Sequence, residues 1–178
     1  MEDAKKEDEC PYELWDEKTV FEGRWIRTKE VKFRTKDGEE GVWQSSHRVT
    51  RPKGSEVDGV DIIAILNKAG KKDVVILVAI AFVFQYFVLV KQYRIPVGGF
   101  CLQFPAGLID GSETVEEAAI REMKEETGYT ISRILHKTRG RQGLDVGMSD
   151  VSLQFLTAEI DGDAPENQNP QQILDGHE

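Results

Sequence analysis

Gly107-Leu-Ile-Asp-Gly-Ser-Glu113-Thr-Val-Glu-Glu-Ala-Ala-Ile-Arg121-Glu122-Met-Lys-Glu125-Glu126-Thr-Gly128-Tyr129 is the stretch whose reading decides the fold. It reads as a loop, a capped amphipathic helix and a stop. Thr114 is a good N-cap, and Glu117 three residues on completes a capping box. Val115, Ala119 and Met123 recur at four-residue spacing and form the stripe that a helix buries. Gly128 supplies the left-handed turn after the last helical residue. Glu122, Glu125 and Glu126 stand at i, i+3 and i+4, so three carboxylates leave one face within a single turn. Like charges that close repel, and Arg121 and Lys124 alone do not neutralise them. Two readings stay open on these residues alone. One is a solvated acidic face; the other is a set of oxygen ligands for a hard divalent cation.

The spacing decides between them. The stretch resembles the Nudix box, Gly-x5-Glu-x7-Arg-Glu-U-x-Glu-Glu-x-Gly-U, where U is a bulky apolar residue. Gly107, Glu113, Arg121, Glu122, Glu125, Glu126 and Gly128 fill every fixed position. Met123 takes the first U, and Tyr129 stands at the last, where an aliphatic residue is usual. Matching seven identities at about 7% each has a chance on the order of 10⁻⁸ per start position. The resemblance implies a Nudix hydrolase with an α/β fold, an α/β/α sandwich with a mixed sheet. A small N-terminal antiparallel β subdomain is expected to precede it.

Outward from the box, composition sets bounds. A chain of 178 residues is long enough for a real core. A formal charge of -9 argues against a nucleic-acid backbone as partner, and means that an anionic substrate needs a metal bridge or local arginines. Cys10 and Cys101 lack metal-type or redox spacing, so reduced cytosolic thiols are expected. The cytoplasm is the expected compartment, with the nucleus as a second. Met1 to Cys10 is charged and has no apolar core, which is unlike a signal peptide.

Residues 1–20 read as a flexible acidic arm. Residues 21–56 read as the β subdomain, used for dimerisation and base binding. In it Val31 and Phe33 alternate with charged residues, Asp37-Gly38 is a hairpin turn, and Val42 resumes the alternation. Residues 57–178 read as the catalytic domain. Gly59–Leu66 is a buried strand, and Val151, Leu153 and Phe155 alternate as another.

Val74–Val90, VVILVAIAFVFQYFVLV, is strongly apolar. It is shorter than the roughly 20 residues a membrane helix needs and is rich in β-branched and aromatic residues. Val74–Val78 looks like the strand that relatives place here, and Phe87–Val90 like a second copy of its end. Ala79–Val90 therefore resembles an insertion rather than a membrane span.

Beyond the box, the chain from about Phe21 onward resembles the ADP-ribose and ADP-sugar pyrophosphatases. The matching pieces are Glu22-Gly-Arg-Trp25, Val42-Trp43, Lys91-Gln-Tyr-Arg94 and Phe104-Pro-Ala-Gly-Leu-Ile-Asp110. The resemblance implies that Trp25 and Trp43 stack on adenine, and stacking is worth about 1–3 kcal/mol per base. Gln44 stands where relatives often carry a glutamate that reads the adenine amino group. Arg48, Arg94 and Leu108 match substrate-contacting positions. Asp145 and Met148 lie in a later substrate loop, where Val146 replaces an expected proline. Mg²⁺, or Mn²⁺, would be held by Glu122, Glu126, the Ala106 carbonyl and Glu125. Glu113 and Arg121 would orient these ligands, with Gly107 and Gly128 shaping the site. Glu125, Glu126 or Glu178 would activate water, and Glu178 would also reach metal. Relatives continue past Glu178 with another strand and a helix, so the catalytic domain reads as C-terminally incomplete. The implied partners are a nucleoside diphosphate sugar and a second copy of the chain. Two alternatives are carried: a Nudix hydrolase of another nucleoside diphosphate derivative, oxidised nucleotides included, and an impaired isoform that only binds nucleotide or dimerises.

Overall fold

In the computed structural model, residues 10–68 and 85–173 are described. Two compact units account for them, and each is taken by itself.

The first unit runs to residue 50 and includes residues 143–151. Its three strands, Glu13–Glu22 (β1), Ile26–Arg34 (β2) and Glu40–Arg48 (β3), form an antiparallel sheet in that order. β2 and β3 pair without a slip, from Ile26 opposite Arg48 to Arg34 opposite Glu40. The turn between them places Gly38 at φ +87°, as a glycine permits.

Strand β1 takes residues 13–20 out of the expected arm, of which residues 1–9 lie outside the described residues. The acidic residues that suggested a solvated tail face basic residues of β2. Glu13 meets Arg34 at 2.6 Å, Asp16 meets Lys32 at 2.7 Å, Glu17 meets Lys29 at 2.7 Å and Glu22 meets Arg27 at 2.6 Å. Each exposed pair is worth little by itself, but together they fix the strand's charge pattern against its neighbour.

The second unit holds residues 51–142 and those from 152 onward. Its strands are Gly59–Asn67 (β4), Gln85–Phe87 (β5), Val90–Arg94 (β6), Gly99–Gln103 (β7), Ala106–Leu108 (β8), Arg133–Lys137 (β9), Gln142–Gly143 (β10) and Ser152–Asp161 (β11); its helix is Val115–Thr127 (α1). The sheet runs β10-β11-β4-β5, with β8 also on β4 and β9 on β11, while β6 and β7 form a separate hairpin. β11 is parallel to β4 from Leu153 opposite Gly59 to Asp161 opposite Asn67, and the other partners are antiparallel, so the sheet is mixed.

Strand β4 is the axis of this unit. Val60, Ile62, Ala64 and Leu66 are buried in the core with Ala118, Ala119 and Met123 of α1 and with Leu156, Ala158 and Ile160 of β11. The two-residue period of the strand and the helical stripe thus meet on one face. The other edge of β4 is shared. Gly59–Asp61 pairs with β8, and Ile65–Asn67 pairs with β5.

Most of Val74–Val90 lies outside the described residues. Its end does not. Gln85–Phe87 holds the place beside Ile65–Asn67, and Tyr86 and Val88 are buried at 6% and 9% exposure. The last part of the expected insertion is therefore core. Among the described residues no helix is long and apolar enough to cross a membrane.

Candidate active site

The capping box expected at Thr114 is present. Thr114 Oγ1 accepts the Glu117 N–H at 3.2 Å, and the Thr114 N–H donates to Glu117 Oε2 at 2.8 Å. Gly128 ends the helix at φ +76°, its N–H donating to the Lys124 carbonyl. A Cβ on Gly128 would also run into the backbone of Gln171, which crosses here. Glycine is needed twice over at this position. The crossing segment caps the helix: the Ile173 N–H donates to the Glu125 carbonyl at 2.8 Å and Gln172 Nε2 to the Glu126 carbonyl at 2.6 Å. These bonds satisfy carbonyls that a helix end leaves open.

The acidic turn is organised by Arg121. Its Nε and one Nη donate to the two oxygens of Glu113 at 2.8 and 2.9 Å. The other Nη donates to Glu122 at 2.8 Å and to Glu125 at 3.1 Å, and the Leu108 carbonyl accepts a further bond at 3.0 Å. A planar fork with five donors can do this; an ammonium cannot. The clamp holds the Glu113 carboxyl below its ordinary range and drives the Arg121 guanidinium further toward the charged form. Lys124 takes no part, bonding instead to the Gly128 carbonyl and to Thr130.

Glu126 is buried at 5% exposure and accepts the Ala106 N–H at 2.9 Å. The register explains why that N–H is available. Ile62 N–H bonds to Pro105 O and Ile109 N–H to Asp58 O, so Ala106, opposite Asp61, falls at a non-hydrogen-bonded pair of the ladder. Its N–H and carbonyl both point away from β4. Gly107 is a cradle: a Cβ there would overlap the Glu122 carboxylate.

The donor set fits a divalent cation. Two or three carboxylates and one backbone carbonyl are the ligands that Mg²⁺ and Mn²⁺ prefer. Among the described residues, no three His, Cys, Asp or Glu side chains converge on one ion position. Arg121 bonds to Glu122 and Glu125, and the Ala106 N–H to Glu126.

The other expected site residues in this unit are placed as follows. Leu108 enters through its carbonyl to Arg121. Arg94 bonds across its hairpin to Gln103 Oε1 at 2.7 Å. Glu178 lies outside the described residues. Asp58 was not foreseen. Buried at 2% exposure, it accepts both arms of Arg51 at 3.0 and 2.8 Å and the Ser152 N–H at 2.9 Å, while its carbonyl accepts the Ile109 N–H. It ties the start of β4 to β11 and to the chain leaving β8, and no local sequence signal marks it.

In the first unit, Trp25 and Trp43 are 59% and 49% exposed. The Arg24 guanidinium sits 4.7 Å over the Trp25 ring. Trp43 donates its indole N–H to the Gly147 carbonyl at 3.1 Å. The two tryptophans are not together. The Trp25 carbonyl accepts the Val49 N–H, so Trp25 aligns with Val49 and stands six residues along the ladder from Trp43. That is about 20 Å at strand spacing. Gln44 is exposed, and its Nε2 donates to Glu30 at 3.1 Å. Arg48 ends β3, exposed, opposite Ile26. The Asp145 carbonyl accepts the Met148 and Ser149 N–H groups, closing a tight turn.

Residues 57–177 match the NUDIX domain family. A Caenorhabditis elegans protein named as a nudix hydrolase is 48% identical over 169 residues, covering 95% of this chain and 70% of that protein. The ADP-ribose pyrophosphatase of Saccharomyces cerevisiae is 37% identical, covering 98% of this chain and 70% of its own. The ADP-sugar pyrophosphatase of Mus musculus is 32% identical, covering 86% and 64%. A crystal structure of an ADP compounds hydrolase superposes with a TM-score of 0.56 at 21% identity, covering 88% of this chain and 74% of that one, and shows the same fold. With every fixed box position filled, the arginine clamp formed and relatives this similar along nearly the whole chain, the protein belongs to the Nudix hydrolase family.

Proposed function

We propose that the chain hydrolyses the diphosphate bond of ADP-ribose and related ADP-sugars, releasing AMP and a sugar phosphate, with Mg²⁺ or Mn²⁺ as cofactor. The observation that carries the reading is the outward-facing Ala106 carbonyl beside Glu126, with Glu122 cradled against Gly107. The names of the yeast and mouse relatives support the substrate class.

When bound, a divalent cation neutralises diphosphate charge and acidifies a coordinated water. Glu122, Glu126 and the Ala106 carbonyl would hold it, with Glu125 as a further ligand. Arg121 keeps Glu113 against the helix and sets where Glu122 and Glu125 point, an orienting role outside the ligand set. Trp25 and Trp43 supply exposed π surfaces for adenine, and the Gln44 side-chain carbonyl is an acceptor suited to the adenine amino group.

The pair of tryptophans favours a homodimer. Rings about 20 Å apart on one ladder do not sandwich one base. A base gripped on both faces by these residues takes Trp25 from one chain and Trp43 from another.

The test is release of AMP from ADP-ribose by purified protein, with and without Mg²⁺. Mg²⁺-dependent release is expected. No release, with nucleotide still bound, would leave the binding-only alternative. Release from oxidised nucleotides in preference to ADP-ribose would move the substrate class.

A further inference from the structure

The segment Gly143–Val151 is a loop with a closed neck, the Leu144 N–H donating to the Val151 carbonyl at 3.1 Å. It is fastened to β3 at four points. Trp43 Nε1 donates to the Gly147 carbonyl at 3.1 Å, and the Ser46 N–H to the Met148 carbonyl at 2.9 Å. The Asp150 N–H donates to the Ser46 carbonyl at 3.4 Å. His47 Nδ1 stands 3.2 Å from Asp150 Oδ1, and its Nε2 shares a 2.9 Å hydrogen bond with Ser45 Oγ. Met148–Asp150 thus runs beside β3 through a parallel bridge between Ser46 and Ser149, covering part of an edge that would otherwise offer open N–H and carbonyl groups.

The loop leaves the apolar side chains of Leu144, Val146 and Met148 exposed beside the charged Asp145. Val146 is 84% exposed and Met148 61%, on a segment bound to the edge of an indole that is itself half exposed. The indole N–H is engaged by the loop, so Trp43 offers a ligand its π face. Apolar side chains on a loop tied to that indole suit a flat ring.

We propose that Trp43 is a positioning residue as well as a stacking surface. Through its indole N–H it holds Gly143–Val151 as one wall of the nucleobase site. His47 standing beside Asp150 adds a second, electrostatic contact to the same wall, and the wall sets the preference among nucleobases. This inference rests on the base-binding role given to Trp43 above.

The test compares wild-type protein with Trp43→Phe, which keeps a flat ring but loses the N–H, and with Asp150→Asn, which removes the charge beside His47. Binding of AMP and GMP is followed by calorimetry, and KM and kcat are measured on ADP-ribose. Loss of one ordinary hydrogen bond corresponds to about a three- to tenfold weakening. AMP affinity is expected to fall by that factor in Trp43→Phe and by less in Asp150→Asn, with GMP affected less in both. The AMP-over-GMP preference then narrows, and KM rises while kcat holds. An unchanged preference in both variants overturns the wall, as does a fall in kcat at constant KM. Should Trp43→Phe fail to fold, Asp150→Asn decides alone. Wild-type protein that binds AMP but turns over no ADP-sugar overturns the proposed activity and leaves the wall to be judged by binding. Wild-type protein that binds neither nucleotide overturns both.

Discussion

Ala106 and Glu126, twenty residues apart in sequence, meet backbone to carboxylate at 2.9 Å. The contact exists because β8 presents Ala106 at a ladder position whose amide faces away from β4. One residue therefore orients a buried carboxylate with its N–H and offers its carbonyl on the same side.

Glu126→Gln and Glu122→Gln each keep side-chain shape while removing a charge. Turnover is expected to fall about a hundredfold or more, because the cation loses an anionic ligand. Melting without metal should hold or rise slightly, since repulsion within the turn is relieved. Rates at saturating Mg²⁺, read beside melting curves, check this; a near wild-type rate removes that residue from the ligand set.

Gly107→Ala tests the cradle. The added methyl meets the Glu122 carboxylate, and no left-handed backbone is involved. The expected result is a folded protein whose Mg²⁺ requirement moves up about tenfold or more as Glu122 is displaced. A metal titration of activity, with Mn²⁺ binding as a second readout, measures it.

Glu113→Gln removes the partner of the arginine fork. Glu113 is held below its ordinary value of 4.5, first by its bond to Arg121. A depressed carboxylate contributes stability that is complete above its unfolded value and is lost as pH falls through the lower folded value. At pH 7 the variant should melt about 2–4 °C lower than wild type. The difference should shrink as the pH is taken below 4.5. A gap that stays constant on acidification would show that the pair's charge is not the cause.

Tyr86→Ala tests whether β5 belongs to the core. Tyr86 is 6% exposed and pairs opposite Leu66. Truncating a large buried ring costs about 3 kcal/mol or more, read as a lower urea midpoint at unchanged slope. A deletion of Ala79–Val90 removes Tyr86 and Val88 as well. It can improve soluble yield only if Val74–Val78 takes the place beside Ile65–Asn67.

What was legible in the sequence was local. The capping box, the glycine stop, the helix stripe and the β2–β3 hairpin are set by residues within a few positions of one another, and the structure has them all. What was not legible depends on distant partners. The acidic residues of β1 look like a solvated tail until Arg27, Lys29, Lys32 and Arg34 are laid beside them. Charge counting left the glutamate cluster short of cations, but one arginine reaches three carboxylates because its fork is planar. The sequence marks the 143–151 segment only by resemblance, as a later substrate loop that holds Asp145 and Met148. Its anchor on Trp43 spans 104 positions, and no local pattern encodes that.

The register that parts Trp25 from Trp43 has a genetic consequence. Trp25→Ala and Trp43→Ala should each raise KM, with about 1–3 kcal/mol lost from kcat/KM. The two defects would fall on opposite members of a shared pair. In a mixed dimer one base site carries both lesions and the other carries neither. Two alleles each weakened at low substrate would then, expressed together, recover fully formed sites, about a quarter of all sites for equal, random pairing in a symmetric dimer. Complementation of this kind is closed to any enzyme that builds its base site from one chain.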